Sequence, residues 1–338
     1  MRYYEVHDLI ACISECENLL LKSYEVEMLS KEANLICLPL DRSPSDAVSI
    51  RNSSFKLRTY KWGERKIWEL YGNGYDFYLI LEDLLITQGA SFVHGAAIEY
   101  KGNGFLFWGH GGVGKTIIAL AALRNSHMRI LADDVAIIHK DGKILSFHKS
   151  LAIYPYHLPL LGEKAKQYKH LLKVAKIVTA FQLIWWLGRK IKRRILSSES
   201  KTPLKNWIGK MNPGWVAVMP QELFHPQQLA EEVPIRASIM LTRESTKWSL
   251  NEMSLEEFTQ LVIPITYTEL EMAKSLFDYS STGLISLTEH LRLVENVMVN
   301  FGSKSMLYRL NIPRQIDHVD MQGKVLDILE DILAQDSK

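Results

Sequence analysis

Gly109-His110-Gly111-Gly112-Val113-Gly114-Lys115-Thr116 is the stretch on which the reading of this chain turns. It fits the spacing Gly-x-x-x-x-Gly-Lys-Thr of a phosphate-cradling P-loop. Phe105-Leu106-Phe107-Trp108 before it is an apolar run of strand character. Ile117-Ile118-Ala119-Leu120-Ala121-Ala122-Leu123 after it is helix-like. Strand, glycine-rich turn and helix in that order are the context that turns the motif into a structural expectation. Four glycines among positions 109 to 114 let backbone N–H groups converge on phosphate oxygens, and the helix N-terminus adds partial positive charge. Lys115 then neutralises the β/γ-phosphates and the Thr116 hydroxyl reaches a Mg²⁺ ion. These eight residues predict a binder of a nucleoside triphosphate with Mg²⁺, ATP first and GTP left open.

Upstream, Ser91-Phe92-Val93-His94-Gly95-Ala96-Ala97-Ile98 reads as a strand interrupted at His94-Gly95. Lys101-Gly102-Asn103-Gly104 turns the chain back, since Gly and Asn tolerate positive φ. Downstream, Arg129-Ile130-Leu131-Ala132 runs into Asp133-Asp134, followed by the apolar Val135-Ala136-Ile137-Ile138 and a hairpin turn at Asp141-Gly142. An acidic pair at a strand end, fewer than twenty residues beyond Lys115, sits where a metal-binding or base carboxylate belongs. Adjacent strand residues point to opposite faces, so both side chains line one pocket only if the backbone bends there. Two roles are therefore expected: one carboxylate orients or deprotonates an acceptor hydroxyl, and the other engages the metal directly or through water.

His94-Gly95, the 109–116 loop and Leu131-Ala132-Asp133-Asp134, in that order and at those separations, resemble the core of the HPr kinase/phosphorylase family. The resemblance covers residues 91–138. It implies an α/β P-loop nucleotide-binding domain with a mixed central sheet flanked by helices, related to that of phosphoenolpyruvate carboxykinase rather than to the small GTPases. It further implies Asp133 as the base that activates the acceptor hydroxyl, Asp134 beside the metal, and His94 near the transferred phosphate. The family's later signature, an acidic residue followed by Arg-Gly-Leu-Gly and an apolar run, has no match between Ser146 and Lys338. That segment goes with phosphorolysis and the hexameric members. The resemblance is thus to HPr-kinase-like proteins that act on other acceptors. His110 is an unusual side chain within the loop and is read as facing solvent.

Nothing before residue 90 carries recognisable chemistry. Residues 1–88 read as a small N-terminal α+β region: strands at Leu9-Ile10-Ala11-Cys12, at 35–40 and at 54–60, then a helix over 75–87 leading into a kinase-like domain at 89–338. The 151–159 segment, rich in aromatics and proline, lines an acceptor or base pocket or packs beneath a loop. A basic helical insertion at about 160–205 carries Lys164, Lys166, Lys169, Lys173 and Lys176, then Arg189, Lys190, Lys192, Arg193 and Arg194. Three readings stand for it: an amphipathic surface helix, a lid or dock for an acidic or phosphorylated acceptor, or peripheral membrane contact through Trp185 and Trp186. Residues 197–203 are a polar loop. Later come a strand at 236–242, helices at 253–262, 269–277, 288–301 and 323–333, and a last edge strand at 308–313 that Pro313 ends. Ser254 with Glu257 three residues on is the capping signal for the first of these helices.

Lys and Arg number 40 against 38 Asp and Glu, a net charge of +2 that points to no nucleic-acid partner. No apolar run reaches the roughly 20 residues of a spanning helix, and Met1-Arg2-Tyr3-Tyr4-Glu5 lacks the apolar core of a signal peptide. Cys12, Cys16 and Cys37 have no following His or Cys pair at metal-ligand spacing, so neither a disulfide framework nor a zinc site is expected, and a reducing, cytoplasmic setting is. The sequence leads to an ATP-dependent kinase whose acceptor is a hydroxyl of a protein, peptide or small molecule. The alternative is a nucleotide-sensing regulator or slow ATPase; the Asn-Lys-x-Asp motif of common GTPase switches is absent. A carboxykinase would need further metal ligands and substrate-binding arginines, which the sequence does not locate. No segment after the acidic pair is expected to supply essential chemistry, and the oligomeric state is open.

Overall fold

The computed structural model describes residues 2–15, 21, 24–26, 29, 31–49, 55–63, 65–72, 77–169, 173, 215–243 and 246–335. Of the basic tract only Lys164, Lys166, Lys169 and Lys173 fall within them. Cys16, the 177–187 and 189–194 segments and the 197–203 loop lie outside the described residues.

The leading strands are β1 (Arg2–Val6), β2 (Ile10–Ser14), β3 (Glu25–Val26), β4 (Leu35–Leu38), β5 (Val48–Ser49), β6 (Phe55–Trp62) and β7 (Arg65–Gly72). They form one mixed sheet in the order β3-β1-β2-β4-β7-β6-β5, with β2, β4 and β7 parallel. Phe55 and Leu57 alternate with half-buried Lys56 and Arg58, the period of two expected of a sheet covered on one face. That face packs on helix α1 (Phe77–Ile86), nearly all of which is buried. The Trp68 indole N–H donates to Asp83 Oδ2 of α1 at 2.8 Å.

The second sheet is built from β8 (Ala90–Val93), β9 (Gly95–Tyr100), β10 (Asn103–Trp108), β11 (Met128–Ala132), β12 (Ala136–His139), β13 (Lys143–Leu145) and β16 (Glu232–Thr242), in the order β11-β9-β10-β16-β13-β12-β8. A separate pair, β14 (Leu151–Ile153) with β15 (Val216–Val218), lies off it. β18 (Met306–Asn311) adds in parallel to β16, and β17 (Ser249–Glu252) pairs with β18. The expected edge strand at 308–313 is therefore flanked on both sides. β17 escaped the sequence reading because Ser-Leu-Asn-Glu alternates nothing and stays half-exposed.

Side chains alternate across this sheet between two cores. From β10, Leu106 and Trp108 join the core that also holds α1 and the leading sheet, while Phe105 and Phe107 join the other. β16 does the same, with Met240 on the first side and Ala237, Ile239 and Leu241 on the second. After α3 (Pro220–Leu223) come α4 (Leu255–Glu269), α5 (Met272–Ser281) and α6 (Leu287–Gly302), which fill the first core. Helix α7 (His318–Ala334) and the short α2 (Lys115–Ala119) fill the second. The chain is thus mixed α/β, with helices on both faces of a mixed central sheet. Among the described residues, no helix is long and apolar enough to cross a membrane.

The helix expected through Leu123 is α-helical only to Ala119. It tightens into a 3₁₀ turn over Leu120–Leu123, where Arg124 N–H returns to Ala121 O at 3.0 Å. A tighter last turn satisfies end carbonyls in fewer residues, and the chain must re-enter the sheet at Met128.

Candidate functional site

β10 and β16 run side by side, and the glycine-rich loop leaves the end of β10 between β16 and α2. Gly109 and Gly114 have φ of 140° and 114°, a region L side chains rarely adopt. A Cβ on Gly109 would lie 2.7 Å from Leu241 O, and one on Gly114 would overlap the Met321 methyl. Inside the turn, the Lys115 ammonium donates to Gly109 O at 2.8 Å and His110 O at 2.9 Å. Burial brings its pKa down to about 8, with Asp134, Asp133 and Glu269 partly offsetting.

The chain leaves β11 through Asp133 and Asp134, and the backbone bends as both carboxylates require. Asp134 is in the left-handed region with φ of 74°, and its carbonyl accepts Gly95 N–H at 3.0 Å. That bend sends the two side chains to different partners around one loop. Thr116 Oγ1 donates to Asp133 Oδ2 at 3.2 Å, while Asp133 Oδ1 is buried without a partner. Burial, then the charge of Asp134, pushes the Asp133 carboxyl up to about 7. Asp134 instead pairs with the Lys149 ammonium. Burial alone would raise Asp134, but Lys149 outweighs it, with His94 and Lys115 helping, and its pKa stays below the ordinary value. Lys149 also donates to the Tyr78 hydroxyl at 3.2 Å.

His94 occupies the bend between β8, which pairs with β12, and β9, which pairs with β10 and β11. What reads as one interrupted strand is two strands with different neighbours. The His94 backbone N–H donates to Thr266 Oγ1 at 3.1 Å, fixing the bend to α4. Its Nδ1 lies 3.4 Å from Asp134 Oδ1 and its Nε2 3.7 Å from Glu269 Oε2, yet both nitrogens are buried without a hydrogen bond. Burial and then Lys115 hold the imidazole pKa down at about 4, so at neutral pH it is uncharged.

Three side chains from later segments, which the sequence did not single out, stand beside this group. Glu269, the last residue of α4, accepts Gly111 N–H at 3.1 Å and lies 3.0 Å from His110 Nδ1. His110 is exposed, the solvent-facing position expected of it, and its ring also meets Glu269. Burial would raise Glu269; Gly111 N–H, His110, His94 and Lys115 more than offset it and leave its pKa lowered. Arg243, just past β16, donates from Nε to Val113 O at 3.1 Å. Lys149 stands fifteen residues beyond Asp134 in the same chain segment, the one nearby signal available in sequence. Glu269 and Arg243 carry no motif; the first arrives at the end of α4 and the second just past β16.

No protein-family model matches this chain, and no curated protein matches it. Among the described residues, no group of three or more His, Cys, Asp or Glu is arranged to hold a metal ion by itself. Thr116, Asp133 and Asp134 are hard oxygen donors of the kind Mg²⁺ takes when phosphate oxygens complete its shell.

Proposed function

We propose that the 109–116 loop is a P-loop and that the chain is an HPr-kinase-like phosphotransferase, moving the γ-phosphoryl group of ATP to an acceptor hydroxyl. The observation that carries this is convergence onto one loop of buried polar groups without hydrogen bonds. Both His94 ring nitrogens and Asp133 Oδ1 make none there, beside Lys115 and two further carboxylates. Unpaired buried polar atoms are costly and uncommon, and a polyphosphate ligand with its metal gives them a reason.

Bound Mg²⁺ would neutralise phosphate charge and orient the transferring group. The chain's own residues do the rest. Loop N–H groups and Lys115 hold the phosphates, Thr116 and Asp134 offer oxygens to the metal, and neutral His94 lies beside the transferring group. Asp133 takes the acceptor proton. Its pKa near 7 suits a base that must be ionised to accept and protonated afterwards. Catalysis is then mostly positioning and charge neutralisation.

Incubating the protein with γ-labelled ATP and a cell extract tests this. Label should pass to an acceptor, with a rate that rises as pH passes through about 7 and Asp133 ionises. Asp133→Asn should still bind MgATP and lose roughly 10²- to 10⁴-fold in transfer. Release of free phosphate alone would favour the regulator or slow ATPase; normal transfer by Asp133→Asn would remove the base assignment.

A further inference from the structure

The strand exit that carries the acidic pair has a strap of chain lying against it. Phe147 N–H donates to Leu131 O at 3.1 Å, just before Asp133, and Lys149 N–H turns back to Phe147 O at 3.0 Å. The Phe147 ring meets Phe92 edge-on, centroids 5.1 Å apart, so packing fixes the strap. From it the Lys149 side chain reaches between two oxygens, Asp134 Oδ2 and, at 3.2 Å, the Tyr78 hydroxyl of α1. Burial alone would lower the Lys149 pKa; Asp134 and then Tyr78 more than offset it, and the ammonium stays charged. Burial likewise leads at Asp133 and His94, yet Lys149 is among the charges acting on both. Lys115, by contrast, places its hydrogen bonds on carbonyls of its own loop. Lys149 is thus the cation in direct contact with the acidic pair.

Resting on the P-loop reading, we propose that Lys149 stands in for the metal in the nucleotide-free protein: its ammonium holds the Asp134 carboxylate, so the site discriminates against a bare divalent cation and takes metal together with a nucleotide. Two cations on one carboxylate repel, and the repulsion is strong where water is partly excluded. A bare ion would meet that ammonium with little anionic charge to outweigh it. A metal arriving on a triphosphate brings its own anionic oxygens, the ligands Mg²⁺ prefers alongside one or two carboxylates. Lys149 in this reading is a positioning residue that acts through Asp134. Its charge sets which form of the metal the site accepts, and it needs no contact with the reacting atoms.

The test is titration of Mn²⁺, a divalent probe visible by electron paramagnetic resonance, and of MnATP into the full chain and its Lys149→Met and Lys149→Arg variants. Without nucleotide, Lys149→Met should bind Mn²⁺ roughly 10-fold or more tightly than the parent, because one like charge beside the carboxylate is gone. Lys149→Arg keeps that charge and should bind Mn²⁺ as weakly as the parent. Adding Asp134→Asn to Lys149→Met should abolish the gain. A lysine that served packing alone would loosen the site when replaced, so Mn²⁺ bound equally or more weakly by Lys149→Met overturns the proposal. So does a parent that holds bare Mn²⁺ as tightly as MnATP, a result that requires no variant to fold. Either outcome with MnATP still bound leaves the P-loop reading intact. A parent that binds neither Mn²⁺ nor MnATP removes both.

Discussion

Glu269 engages the loop through Gly111 N–H, one of the amides a phosphate oxygen would otherwise take. A carboxylate already seated there competes with the nucleotide for the same donor. Removing it should strengthen binding: Glu269→Ala is expected to tighten MgATP binding by roughly tenfold, the equivalent of about 1.4 kcal/mol and the size of one charge-assisted hydrogen bond. Calorimetric titration reads this, and weaker binding by the variant would make Glu269 a ligand contact instead. Lys115, Thr116, Asp133, Asp134 and His94 stand together around one loop, because motif spacing records contacts made by near neighbours in the chain. Glu269 lies 158 residues from Gly111 and was invisible for that reason. The bend that lets both aspartates serve one site rests on a single positive φ at Asp134, which no periodicity encodes.

Helix α4 brings both Thr266 and Glu269 to the site, so its own start matters. The side chain of Ser254 accepts Glu257 N–H at 3.0 Å, the cap foreseen from the sequence. Ser254→Ala should lower stability by about 1 kcal/mol in denaturant unfolding, and Ser254→Asn should restore it, since asparagine caps as well as serine. An alanine variant as stable as the parent would show that the cap contributes nothing here. At this scale the helices and the strand at Glu232–Thr242 were legible because apolar periodicity is local. Several features were not, the strands at Arg2–Val6 and Arg65–Gly72 among them, and two show why. β18 seemed an edge because its partner β17 has no apolar pattern, and the helix after the loop is shorter than its run of alanines and leucines suggests. In both cases pairing and packing overrode local preference.

Across the whole molecule, one sheet divides two cores, and the site lies where its parallel strands β10, β16 and β18 reach their ends. Loops at the carboxyl ends of parallel strands are the usual place for ligands in α/β proteins, because helix N-termini and free backbone donors gather there. The leading sheet shares the first core with α1, α4, α5 and α6; Trp68 of β7 lies 6.2 Å from Tyr279 of α5. Hydrophobic packing therefore runs without a break across residue 88. Whether a glycine loop, one lysine and two aspartates hold a single metal-bound nucleotide is decided by titrating MgATP into the full chain and its Lys115→Ala variant. Saturable binding by the parent, weakened by roughly 10- to 100-fold in a variant that unfolds at the same temperature, is the predicted result. A parent that binds no MgATP, or a variant that binds it equally well, would mean that this loop does not hold the nucleotide.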